Sequence, residues 1–142
     1  MRGCGWLKQN FIMKIQDYRI GNLLDYNGKV VKITTLGIDY GGNETIIASN
    51  KSFLWHVSKL DGIKPIKLTE KIISEICGKL NELSGDYRIN VTDDFSMSFA
   101  MDNDMIYIGD DIEIRVSETP LHKLQNIYFE FSGKELTFEN EI

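Results

Sequence analysis

The thirty residues "YRINVTDDFSMSFAMDNDMIYIGDDIEIRV" (Tyr87–Val116) decide the fold. They divide into four short apolar runs separated by Asp93-Asp94, Asp102-Asn103-Asp104 and Gly109-Asp110-Asp111. Asp, Asn and Gly favour turns because their side chains bond nearby backbone or leave it free to take positive φ. Tyr87, Ile89, Val91, Phe95, Met97, Phe99, Met101, Ile112, Ile114 and Val116 alternate with Arg88, Asn90, Thr92, Ser96, Ser98, Glu113 and Arg115. A period of two with one apolar side predicts an antiparallel meander covered on one face. Met105–Ile108 is apolar on both sides, so Met105 and Tyr107 fall on the otherwise wet face.

Amphipathic helices are predicted before and after this sheet in the sequence. In "LTEKIISEICGKLNELSG", Thr69 is placed to cap a helix starting at Glu70, with Leu68 packing on Ile73 as a staple. Ile72, Ile73, Ile76, Leu80 and Leu83 form its stripe, and Ser84-Gly85 its stop. In "SETPLHKLQNIYFEFSGKEL", Thr119 is the expected cap, Pro120 the first helical residue and Gly133 the stop. Leu121, Leu124, Ile127, Tyr128 and Phe131 share an arc of about 120°, whereas Phe129 projects with His122 and Gln125 about 140° from its centre. His122, Gln125 and Phe129 are therefore the expected partner-binding face, meeting a second protein, another copy, or the rest of the chain.

Ahead of the first helix, apolar runs and turns recur every eight to twelve residues. Asn27-Gly28 signals a type I′ hairpin and Gly41-Gly42-Asn43 a second turn, while "SFLWHV" alternates Phe53, Trp55 and Val57 with Leu54 and His56. The expected fold is thus α+β. Residues 14–68 are expected to form a β-rich SH3-like small barrel, and residues 69–142 an α-β-β-β-β-α two-layer unit with both helices on one face of the meander. Residues 1–13 are expected to be a disordered extension, with Met13 the native start.

Three stretches, "YRIGNLLDYNGKVVKI", "GIKPIKLTEKII" and "LHKLQNIYFEFSGKELTF", carry a family likeness. The chain resembles a set of small uncharacterised proteins encoded in gut bacterial genomes and their phages or prophages. That pattern has an "RIGN" opening, a central "I-x-P-I-x-L-T" and a closing "H-x-L-Q-N-x-Y-F-x-x-x-G-x-E-L" helix. It spans most of Tyr18–Phe138 and is most specific at His122, Leu124, Gln125, Asn126, Tyr128, Phe129, Gly133, Glu135 and Leu136. The resemblance implies a phage or mobile-element accessory protein and implies no activity. The middle helix lacks the aromatic residues usual after the "L-T" segment, and residues 1–12 have no counterpart.

Composition narrows the functional classes. The chain has 142 residues, enough for a buried core without a metal or disulfide, and its Cys4 and Cys77 form no CxxC pair. Sixteen Lys and Arg against 21 Asp and Glu give a net charge of −5, which argues against a broad nucleic-acid face. Lys59, Lys64, Lys67 and Lys71 make the one basic enrichment. No apolar run reaches the ~20 residues of a membrane span, and the expected location is the cytoplasm.

No catalytic residue, cofactor site or phosphate loop is assigned. His56 and His122 lack a spaced partner that would complete a nucleophile and base pattern. The turn aspartates Asp93, Asp94, Asp110 and Asp111 are the metal candidates, since alternate turns of a meander lie at one end of the sheet. Asp102 and Asp104 do not open an EF-hand loop, because Ile106 and Tyr107 stand where an oxygen ligand and a glycine are required. Trp55, Tyr26 and Tyr40 are the residues through which a barrel would stack nucleic-acid bases. The leading expectation is a non-enzymatic protein-interaction module binding a protein partner or a second copy. A nucleic-acid-associated role and a metal-dependent enzyme are the alternatives.

Overall fold

The computed structural model describes residues 18–57, 62–77, 86–136 and 138. The chain is α+β: its described residues form two antiparallel sheets and two α-helices, in two compact units, Met1–Pro65 and Ile66–Ile142. The residue 1–13 extension, His56 and Val57 side chains, Lys59, Leu80, Leu83 and Ser84-Gly85 lie outside what is described. No helix among the described residues is long and apolar enough to cross a membrane.

The described residues of unit 1 form a five-stranded sheet: β1 (Leu23–Tyr26), β2 (Lys29–Ile38), β3 (Glu44–Ser49), β4 (Leu54–Val57) and β5 (Ile63–Lys64), in the order β4-β3-β2-β1-β5. Asn27 and Gly28 both take positive φ, 53° and 87°, and the Gly28 N–H donates to the Asp25 carboxylate at 2.7 Å. That is the geometry of the expected I′ hairpin, which fixes Tyr26 opposite Lys29. At the second turn the Asp39 carboxylate accepts the Gly41 and Asn43 N–H groups at 2.8 and 2.9 Å. Leu24, Val31, Ile33, Ile46, Ala48 and Ile63 make the core, with Tyr26, Leu36 and Trp55 partly buried against it. The sheet is not a closed barrel. Its edge strands β4 and β5 are not paired, because β5 offers only two residues, which return to β1 before Pro65 removes the next donor.

Unit 2 follows the order α1 (Glu70–Cys77), β6 (Tyr87–Thr92), β7 (Phe95–Ala100), β8 (Met105–Ile108), β9 (Ile112–Arg115) and α2 (Leu121–Ser132). The four strands form the expected meander, β6-β7-β8-β9. Register aligns Ile89 with Met97, Met97 with Ile108, and Ile108 with Ile112, so one face is a continuous apolar layer. Val91, Met97, Phe99, Ile106 and Ile108 are buried from it, while Arg88 and Ser98 bond across the other at 3.3 Å. Both helices contact β6. Thr69 caps α1 as expected, its hydroxyl accepting the Ile72 N–H at 3.3 Å.

Helix α2 begins differently from its sequence signal. Pro120 is the cap residue rather than the first helical residue, and the Thr119 hydroxyl donates to the Arg115 carbonyl at 2.7 Å instead of capping. The first helical N–H, from Leu121, is satisfied by the Ile66 carbonyl at 2.7 Å. This bond ties residues 66–69 to unit 2, and the division between units accordingly falls at Pro65, three residues before the sequence boundary at 68. The stop is as read: Gly133 has φ 72° and its N–H donates to the Phe129 carbonyl.

Candidate functional site

The helix α2 face expected to meet a partner, another copy or the rest of the chain is turned inward at His122 and Gln125. His122 and Gln125 are 1% and 3% exposed, alongside the buried Leu121 and Leu124. At about 100° per residue these four span an arc of about 160°, centred between Leu121 and Gln125, and Phe129 falls inside it. Phe129 is 38% exposed because it lies in the last turns, while Phe131, assigned by sequence to the inward stripe, is 42% exposed and stacks on Phe95 at 4.9 Å. A wheel weighted by polarity rotates the helix toward its hydrocarbon residues, and a buried His and Gln defeat it. His122 and Gln125 are thus part of the packed interior and present no open contact face.

The turn aspartates do not gather. Asp93, Asp94, Asp110 and Asp111 are all exposed, and among the described residues no three His, Cys, Asp or Glu side chains are placed to hold a metal ion. Alternate turns of a meander stand two strand spacings apart, about 10 Å, and sheet twist splays them further. Phe95 also occupies the space at the β8–β9 turn: a Cβ on Gly109 would stand 2.5 Å from its ring. Nor is there an activated thiol among the described residues. Burial pushes the Cys77 thiol up to about 12, which keeps it protonated at neutral pH.

Unit 1 brings together a surface that the sequence indicated only in part. Tyr26 ends β1, Lys29 begins β2 directly opposite, and Trp55 lies on β4 opposite Ala48. The Tyr26 and Trp55 rings are 5.7 Å apart, and Phe53 joins them at 5.6 Å from Trp55. Phe53 is positioned by Asn50, whose side-chain oxygen accepts the Ser52 and Phe53 N–H groups at 2.8 and 2.9 Å. The Lys29 ammonium lies 5.4 Å from the Phe53 ring centre and 5.6 Å from that of Trp55, within cation–π range. Tyr26 and Trp55 rest on the core while Phe53 is 58% exposed, so the cluster has a fixed base and an open top. Tyr40 does not join it, being in the turn at the far end of β2, about 30 Å along the strand.

Charge divides with the fold. Unit 1 has nine Lys and Arg against five Asp and Glu, a net of +4, whereas unit 2 has seven against sixteen, a net of −9. The whole-chain value of −5 conceals this, and it emerges only when the boundary is known. Lys64 belongs to unit 1 and Lys67 and Lys71 to unit 2, so the basic stretch is split between them. The chain matches no protein-family model, and no curated protein or solved structure matches it.

Proposed function

We propose that the chain is a non-enzymatic protein-interaction module, acting in the cytoplasm as an accessory protein of the phage or mobile-element kind its sequence resembles. In this reading unit 1 docks its partner through Tyr26, Phe53, Trp55 and Lys29. The observation that carries it is the ring cluster: an exposed phenyl held by an Asx turn against the half-buried Trp55 ring, which in turn meets the half-buried Tyr26 ring, with a cation beside it. Aromatic anchors on a rigid base are the residues that dominate interface energies, because they bury large area with little loss of side-chain freedom. The net charge of +4 favours an acidic partner segment carrying apolar side chains. The strand order, with β5 returning to β1, is compatible with a partly open SH3-like barrel.

A second reading has its own support. Stacking rings beside a lysine on a positive unit also suit single-stranded nucleic acid. Capture from host-cell extract with wild type, Phe53→Ser and Lys29→Glu tests the first. A partner retained by wild type and depleted about tenfold by Phe53→Ser, with melting unchanged, supports it; equal retention by both refutes it. Anisotropy with random single-stranded DNA tests the second, which requires binding that weakens linearly with the logarithm of salt.

A further inference from the structure

The edge strand β9 pairs with β8 alone among the described residues. We propose that two copies of this chain associate along β9, antiparallel and about a two-fold axis through Ile114, continuing the sheet of unit 2 across the dimer. The proposal does not depend on the partner surface assigned to unit 1.

Hydrogen-bond parity comes first. The ladder sets Ile106 opposite Ile114 and Ile108 opposite Ile112, and the Val116 N–H continues it by donating to the Asp104 carbonyl at 3.1 Å. Bonded and non-bonded pairs alternate in an antiparallel ladder. Residues 112, 114 and 116 therefore turn their main-chain groups toward β8, and Glu113 and Arg115 turn theirs to the open edge. The Arg115 carbonyl accepts the Thr119 hydroxyl at 2.7 Å, which agrees with that assignment and leaves its second lone pair for a bond across the edge.

Charge then selects one register. Outward groups must meet outward groups, so a second copy offers three central pairings: Glu113 with Glu113, Arg115 with Arg115, or Glu113 with Arg115. The first two oppose like charges directly. The third, about Ile114, sets Glu113 of each copy against Arg115 of the other, twice, with Ile114 facing its own counterpart on the apolar side. Such self-complementarity is what a two-fold interface requires. Ile112, 40% exposed, gains a neighbour opposite Val116 of the second copy. A groove of about 370 Å³, bounded in part by Ile114, Thr119, Lys123 and Ile127, opens beside the edge and leaves room for it. The opposite edge, β6, is disrupted by a register shift between Asn90 and Thr92, a device that discourages pairing, whereas the β9 ladder is regular.

Sedimentation velocity of the full chain is the test. It is run in 0.15 M salt, where a Debye length of about 8 Å confines the repulsion between two acidic units. Wild type should dimerise. Glu113→Arg and Arg115→Glu should each weaken the dimer about tenfold, and the double variant E113R/R115E should recover most of that loss. Glu113→Pro removes an outward N–H that the chain's own ladder does not use, and should give a folded monomer by circular dichroism. A wild type that stays monomeric up to millimolar concentration overturns the proposal. So does a dimer indifferent to Glu113→Arg and Glu113→Pro, or a double variant weaker than either single.

Discussion

The Asp104 carboxylate accepts two hydrogen bonds from Ser117, one from its hydroxyl at 2.6 Å and one from its backbone N–H at 2.9 Å. Asp104 itself has a positive φ of 57°, so the pair pins the turn between β7 and β8 to the end of β9. The Ser117 hydroxyl is the main cause of a lowered Asp104 pKa; desolvation, the next largest effect, opposes it, and the Ser117 N–H and Arg115 at 3.8 Å add to the lowering. A depressed carboxyl stabilises the fold above its unfolded pKa, about 3.9, and that contribution fades as pH falls through the folded value. An NMR titration should place Asp104 below the ordinary carboxylate range. Ser117→Ala should return it toward about 3.9, and an unmoved titration would break the assignment.

Gly109 and Phe95 form a second testable pair. Gly109 has φ 61°, and an added Cβ would meet the Phe95 ring at 2.5 Å. Gly109→Ala should destabilise by about 1–3 kcal/mol, combining left-handed backbone strain with displacement of the ring. In the Phe95→Leu background the same change should cost measurably less, by a double-mutant cycle on denaturant melts. Additive losses would mean that the ring is not in the way.

Rotation of helix α2 is checked at Gln125. Gln125→Asp should cost about 3–5 kcal/mol, the order for an unpaired charge in an interior, whereas Lys123→Glu, on the exposed side, should change stability by less than about 0.5 kcal/mol. Leu124→Ala should cost about 2–5 kcal/mol, with Ile76→Ala on α1 toward the lower end. Chemical denaturation reads all four. If Gln125→Asp and Lys123→Glu melt alike, the inward arc is misplaced.

Cys77 offers a chemical probe. With its thiol held near 12, the thiolate fraction at pH 8 is about a thousandfold below that of an ordinary cysteine. In a Cys4→Ser background the native chain should react with a disulfide reagent correspondingly slowly and reach normal rates in denaturant. Rapid native labelling would show that the helix opens.

Signals confined to a few residues were legible. Asn27-Gly28, Thr69 and Gly133 each determine a local backbone geometry, and the structure has the hairpin, the cap and the stop where their chemistry places them. The meander was legible because three of its four strands alternate and turn residues separate all four. What failed depended on distant partners. Thr119 is a good cap by composition, but the Arg115 carbonyl takes its hydroxyl and Ile66 supplies the helix's first acceptor. His122 and Gln125 look wet by polarity and are interior. Among the candidate site residues, Tyr26 and Trp55 could be named from sequence. Phe53 and Lys29 required strand register and an Asx turn to join them.

The bond from Leu121 to the Ile66 carbonyl joins the beginning of unit 2 to its last described helix, and so forms only after that helix has been synthesised. Strands β6 to β9 leave the ribosome before the helix that completes their cover. At about 5–20 residues per second, the interval from Tyr87 to Ser132 is about 2–9 s. Throughout it the layer of Met97, Phe99, Ile106 and Ile108 lacks α2, while unit 1 already has all five of its strands. The nascent chain thus passes through a stage in which the described strands of the basic unit are all synthesised while the acidic sheet has α1 but not yet α2. A chaperone that attends this protein at that stage meets an apolar layer still without its last described helix.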